Sequence, residues 1–225
     1  MTKSKTLVFA TGTPDPKRGG SGAEKLVLAS RDGRLDTEVV GFVSNYEHGG
    51  VRTLAIKHKV PFVYFPGPWT ADKYQGIADV LEADYFALSG WLKLVEGLDP
   101  NTRFNSRTVF NIHPGLLPNC GGSGWYGHYV HERVIAAYKR GWISHSGLTM
   151  HFVDEKYDHG PTFFKCLVPI DDMDTPDSIG AKVNAQEHIH QSIITNLVVT
   201  GQIAWDGVHP ESLVVPTGYS ITRFA

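Results

Sequence analysis

Leu7-Val8-Phe9-Ala10 leads through Thr11-Gly12-Thr13-Pro14-Asp15-Pro16-Lys17-Arg18-Gly19-Gly20 into Ser21-Gly22-Ala23-Glu24, with Leu26, Val27 and Leu28 following. The first four residues form a short apolar run, the pattern of a strand buried on both faces. Gly and Pro then punctuate ten residues and prevent a regular element. Ser21 and Glu24 have capping-box spacing, and the apolar residues after them predict a helix. A strand that passes through a glycine loop into a helix is the start of a parallel βαβ unit.

The chain beyond this opening repeats the alternation. Strands are expected at 39–43, 61–65, 85–88 and 109–112. Helices are expected around 51–57 and from Thr70 to about Glu82, the latter with Tyr74, Ile77, Val80 and Leu81 on one face. The result is an α/β fold with a doubly wound, mostly parallel sheet. The second half differs. A glycine-rich loop at 120–127 precedes a helix at 129–138, and strands at 147–153 and 162–168 lie close enough to pair antiparallel through the loop 154–161. Thr175-Pro176 starts a helix, a capping hydroxyl followed by Pro at the first helical position. That helix carries Ile179, Val183, Ile189, Ile193 and Leu197 and stops near Gly201. The tail reads as irregular.

The 225 residues show no composition shift that would mark a seam, so one domain over 1–225 is expected. With 21 Lys plus Arg against 23 Asp plus Glu, the formal charge of −2 removes the basic face a nucleic-acid binder needs. Two cysteines in a chain this long are no disulfide framework, and a reduced cytoplasmic compartment is the simpler reading. The first apolar run is too short for a signal peptide, and none approaches the roughly 20 residues that span a bilayer.

Three stretches could carry chemistry. Gly19 to Gly22, between a strand and a helix, can offer backbone N–H groups to a phosphate, helped by the helix dipole. It is neither a P-loop nor a GxGxxG fingerprint, and a flexible surface turn would read the same way. Asn111-Ile112-His113-Pro114 ends the fifth strand, where ligands of open α/β sheets sit. Alternation puts Asn111 and His113 on one side, an amide donor beside a ring that titrates near neutrality. The third stretch runs from His151 to Pro161, an acidic loop that can bring a carboxylate into a site or can be a solvated turn. The 11 histidines lack zinc spacing, and there is no HExxH, so no catalytic metal is expected.

Together these motifs resemble the folate-dependent formyltransferases. Val109-Phe110-Asn111-Ile112-His113-Pro114-Gly115-Leu116-Leu117-Pro118 is similar to that family's first signature. His151-Phe152-Val153 to Asp158, followed by Gly160-Pro161, is similar to its second. Gly124-Trp125-Tyr126-Gly127, Val130-His131-Glu132 and Gln186-Glu187-His188 resemble the purine-synthesis branch, which acts on glycinamide ribonucleotide. The resemblance implies a Rossmann-like formyltransferase fold, with residues 1–110 binding nucleotide and 111–205 binding folate and carrying catalysis. It implies Asn111, His113 and Asp158 as catalytic residues, Asp158 holding His113 in its charged form. Gly20, Ser21 and Gly22 would bind the acceptor's phosphate, and Asn184 and Glu187 its ribonucleotide. Leu92, Lys93, Leu94 and Val95 would line one wall of the folate pocket, with Asp154, Glu155 and the loop to Asp158 as the other. The co-substrate implied is 10-formyltetrahydrofolate, with small-molecule substrates, no metal, no nucleic acid and no membrane, in a monomer or homodimer.

The chain departs from that pattern in places. The family commonly has Asn where Gly22 falls, and about six extra residues separate Gly12 from Gly19. His159 replaces a small residue, and Ala71 stands where an arginine can face the folate. None of these touches the trio, so acceptor identity is more open than reaction type. An amino-sugar nucleotide formyltransferase and a non-catalytic folate- or nucleotide-binding module are the alternatives.

Overall fold

The apolar runs form one sheet. In the computed structural model, which describes residues 3–225, the elements follow in the order β1 (Ser4–Phe9), α1 (Ser21–Arg31), β2 (Thr37–Ser44), α2 (Gly50–His58), β3 (Phe62–Tyr64), α3 (Ala71–Val80), β4 (Tyr85–Ser89), β5 (Val109–His113), α4 (His128–Lys139), β6 (His145–Phe152), β7 (Thr162–Pro169), α5 (Pro176–Val199) and β8 (Thr222–Phe224). The strand order is β3-β2-β1-β4-β5-β6-β7-β8. Pairing is parallel from β3 to β5, antiparallel from β5 through β6 to β7, and parallel again between β7 and β8. The doubly wound sheet with an antiparallel addition is the expected architecture.

Helices cover both faces, which is why β1 is apolar throughout its second half and why Leu7, Val8 and Phe9 are fully buried. One face packs against α1, α2, α4 and α5 through residues such as Leu26, Ala55, Val134 and Val183. The other packs beneath α3, where Phe9, Phe65, Tyr74, Phe86, Trp91 and Phe104 form an aromatic cluster. Trp91 Nε1 donates to the Tyr74 hydroxyl at 2.9 Å, and that hydroxyl donates to the Leu94 carbonyl at 3.0 Å. The cluster thereby anchors the segment leaving β4.

Four local expectations are corrected. The capping box at Ser21 does not form: the helix begins at Ser21, its N-cap is Gly20 at φ 82°, and no side chain caps it. Ser21 Oγ lies 3.0 Å from His188 Nε2 instead, and Glu24 is taken by Lys57 and His58, each at 2.7 Å. Val80 is exposed because the buried stripe of α3 runs through Tyr74 and Ala78, and Val80 falls well around the helix from both. On α5, Ile189 and Ile193 are half exposed, and the buried stripe runs through Gln191, Ile194, Thr195 and Val198. The tail is not wholly irregular, since β8 pairs Thr222 to Phe224 with Lys165 to Leu167 of β7. The reciprocal cap at Thr175 does form, with Ser178 as its partner.

The chain leaves β1 toward β2 on one side, whereas β4 and β5 lie on the other. A crevice therefore opens beyond the carboxyl ends of β1 and β4, where the winding reverses. No helix among the described residues is long and apolar enough to cross a membrane.

Candidate active site

A cleft of about 380 Å³ occupies that crevice. Its walls come from the glycine loop after β1, residues 89–92 after β4, Asn111 to Pro114 at the end of β5, the loop 122–127, Tyr157 and Asp158, and one side of α5. The three stretches singled out in the sequence thus meet at one place.

Sheet register sets the reacting groups. Antiparallel pairing places Asn111 opposite His151 and His113 opposite Thr149, so all four side chains share a face. The His151 Nδ1–H donates to the Phe152 carbonyl at 2.8 Å. With the ring neutral, its Nε2 keeps a lone pair and accepts from Asn111 Nδ2 at 3.1 Å; protonated, the same nitrogen faces Asp158 Oδ1 at 3.7 Å. One Asn111 N–H and its carbonyl oxygen remain for the cleft. His113 Nε2–H donates to the Cys120 carbonyl at 2.5 Å, and Nδ1 faces Asp158 Oδ1 at 3.5 Å. The other Asp158 oxygen accepts the Gly122 N–H at 2.9 Å, while Oδ1 is 3.7 Å from His151 Nε2.

Burial and charge oppose each other here. For Asp158, burial raises the carboxyl, but His151, His113 and the Gly122 N–H together hold it below the ordinary carboxylate range. For His113, burial prevails over the pull of Asp158 and of the Cys120 carbonyl, and the ring is pushed below the ordinary imidazole range. The resemblance implies a charged ring, and burial works against that form.

Glycines let the loop after β5 close on these groups. A Cβ at Gly115 would lie 2.6 Å from the Cys120 carbonyl oxygen and 2.8 Å from His113 Nε2; one at Gly121 would lie 2.2 Å from Leu117 and 3.0 Å from Asp158 Cβ. Thr149 Oγ1 donates to the Gly115 carbonyl at 2.7 Å and accepts the Leu117 N–H at 3.1 Å, pinning the loop to β6. Asp158 itself sits at φ 53°, a left-handed conformation that costs a non-glycine residue roughly 1 kcal/mol and that turns its carboxylate inward.

Gly20, Ser21 and Gly22 line the far end of the cleft, where the uncapped helix presents free N–H groups. Asn184 and Glu187 face it from α5, Asn184 Nδ2 donating to Glu187 Oε2 at 3.0 Å. Burial pushes the Glu187 carboxyl up to about 7, against the Asn184 bond, which lowers it. Of the expected folate residues Leu92 reaches the cleft wall, as do Tyr157 and Asp158 at the end of the expected loop. Lys93 Nζ sits 4.4 Å over the Trp69 ring, Leu94 offers its carbonyl to Tyr74, and Val95 is buried. Asp154 pairs with His159 and accepts the Lys156 N–H, and Glu155 is exposed. Among the described residues no three His, Cys, Asp or Glu side chains gather as metal ligands would. His151, Ser89 and Gln191 are among the members to which sequence reasoning gave no role.

A doubly wound sheet with an amide, an imidazole and a carboxylate converging in the cleft at its switch point is the arrangement of an α/β enzyme. The chain belongs to the formyl transferase family, whose model matches residues 5–196. It is 34% identical over 216 residues to the chloroplastic phosphoribosylglycinamide formyltransferase of Vigna unguiculata, covering 92% of this chain and 65% of that protein. The phosphoribosylglycinamide formyltransferase of Bacillus subtilis is 28% identical over 201 residues, 86% of this chain and 94% of its own length. Among solved structures, the glycinamide ribonucleotide transformylase 1 of Symbiobacterium toebii shares the fold with a TM-score of 0.77 at 20% identity, over 95% of this chain and 94% of that one.

Proposed function

We propose that this chain transfers a formyl group from 10-formyltetrahydrofolate to the amine of glycinamide ribonucleotide, in purine synthesis. The observation that carries the reading is the meeting of Asn111, His113 and Asp158 with the open helix end at Ser21 in a single cleft. The named relatives support the choice of acceptor.

The chemistry follows from the groups. The acceptor amine attacks the formyl carbon, a C–N bond forms, and the carbonyl electrons move to oxygen. The free N–H of Asn111 donates to that oxyanion, a contribution commonly worth a few kcal/mol (about 3) for one preorganised donor. Asp158, held ionised, favours protonation of His113 once negative charge develops beside it. Collapse breaks the bond from carbon to the folate nitrogen, which takes up the proton the amine has lost. His113 and Asp158 are the groups placed to carry that proton, directly or through water.

Purified protein incubated with both substrates should release tetrahydrofolate and formylated ribonucleotide. Turnover with an amino-sugar nucleotide in place of glycinamide ribonucleotide, and none with the latter, would overturn the acceptor assignment. No turnover with any amine acceptor would overturn the reaction.

A further inference from the structure

Gly22 occupies the second position of α1 with no left-handed backbone to explain the absence of a side chain. The explanation lies across the cleft. A Cβ at Gly22 would stand 2.2 Å from Ser89 Oγ and 2.7 Å from Gln191 Oε1. Two polar side chains, one from the end of β4 and one from α5, already fill the space beside the loop. Gln191 is only 2% exposed, yet it reaches the cleft wall. The Ser89 hydroxyl donates to its Oε1 at 3.4 Å, which leaves the amide nitrogen on the other side. Among the described residues no hydrogen bond engages the Gln191 nitrogen, so a buried amide keeps two donors unused at the edge of a cavity.

The surroundings select the ligand. The free N–H groups at the start of α1 adjoin this amide, and Ser21 Oγ with His188 Nε2 lies beside them. Glu24, the carboxylate that follows on the helix, is turned away to Lys57 and His58. Unused donors on a helix N-terminus call for an anion rich in acceptor oxygens.

We propose that Gln191, oriented by Ser89, is a specificity-determining residue that donates its amide N–H to a phosphate oxygen of the acceptor held at Gly20, Ser21 and Gly22. The proposal deepens the acceptor reading and rests on it for the identity of the phosphate ester. Phosphate recognition itself can be tested separately.

The probes are inorganic phosphate, titrated by calorimetry, and glycinamide ribonucleotide in steady-state turnover, each against Gln191→Glu, Gln191→Met and Ser89→Ala. Gln191→Glu keeps the length and an acceptor for Ser89 but replaces the donor with charge. It should weaken phosphate binding and raise the acceptor KM by about tenfold or more, leaving the folate KM unchanged. Gln191→Met should give a smaller rise, and Ser89→Ala a smaller one still. Unchanged phosphate affinity and acceptor KM in a folded Gln191→Glu protein would overturn the proposal. Equal rises in the KM of both substrates would do the same, since they would mark a structural role. If Gln191→Glu does not fold, unchanged phosphate affinity in both other variants overturns it. A parent that binds phosphate but formylates no ribonucleotide would sink the acceptor reading and leave the Gln191 contact to be judged on phosphate alone.

Discussion

Replacing His151 by Leu separates two jobs done by one buried ring. His151 is 2% exposed, accepts from Asn111 at 3.1 Å and donates to the Phe152 carbonyl at 2.8 Å. Leu has a similar bulk, so the cavity left is small and the cost comes from hydrogen bonding. Depriving a buried carbonyl of its donor costs about 1–3 kcal/mol, and the lost bond to Asn111 adds roughly 1 kcal/mol. A destabilisation of about 2–4 kcal/mol is expected in denaturant unfolding. Turnover should fall separately. Removing an oxyanion donor costs about 3 kcal/mol, and freeing Asn111 to rotate misdirects it only part of the time, so kcat should drop about 10- to 30-fold with both KM values little changed. Two conservative variants divide the effects. His151→Gln can place an acceptor near Asn111 and should restore turnover more than stability. His151→Asn can place a donor near the Phe152 carbonyl and should restore stability more than turnover. A folded His151→Leu protein with parental kcat would refute the reasoning, as would turnover restored by Asn and not by Gln.

Asp158→Asn keeps an acceptor for the Gly122 N–H but removes the charge facing His113, so kcat should fall by roughly 10²- to 10⁴-fold; near-parental turnover would remove the carboxylate from the mechanism. Gly22→Asp adds both bulk against Ser89 and Gln191 and a like charge at the phosphate end, and should raise the acceptor KM far more than the folate KM, as initial rates at varied acceptor will show. Glu187, with its carboxyl at about 7 against an ordinary 4.5, binds a proton in the folded state that the unfolded chain has lost over that interval. Stability should therefore fall as pH rises from about 4.5 to about 7, by at most roughly 3 kcal/mol, and Glu187→Gln should flatten that slope in urea titrations at several pH values. Gly115→Ala drives a methyl group into the Cys120 carbonyl and His113, and should lower both melting temperature and turnover; a variant unchanged in both would mean the loop is free to move away.

Most of the fold was legible because its signals are local. Apolar runs bounded by Gly and Pro marked the strands, and their alternation with helices marked the parallel half. The misreadings have a common physical origin. Ser21 and Glu24 fit a capping box by spacing, but Lys57 and His58 on α2 compete for Glu24, and α2 is not sequence-adjacent. Ile189 and Ile193 read as core by composition, whereas Gln191 is buried because its side of α5 packs against Gly22 and Ser89. In the site, Asn111 and His113 could be found from strand alternation alone. His151 could not, because only the pairing of β5 with β6 puts it opposite Asn111. A histidine two residues from a predicted strand end is a signal only once the antiparallel partner and register are known.

The resting charge of the trio bears on how a neutral amine could be made within it. Asp158 is held below the ordinary carboxylate range while burial pushes His113 below the ordinary imidazole range, so a carboxylate faces the ring at 3.5 Å. An acceptor amine arrives mostly as ammonium at neutral pH, which such a site attracts, and it must lose a proton before it can attack. A ring already charged could not take that proton. A ring that burial disfavours in its charged form, facing a carboxylate at 3.5 Å, is placed to take that proton. The Cys120 carbonyl matters in the same way. By holding the Nε2–H, it leaves Nδ1 as the basic nitrogen and directs the proton to the side where Asp158 waits. Gly115 and Gly121 are what let this carbonyl and Asp158 come so close, and in the proposed mechanism a side chain at either would push them apart and loosen the contact that makes Nδ1 the basic nitrogen.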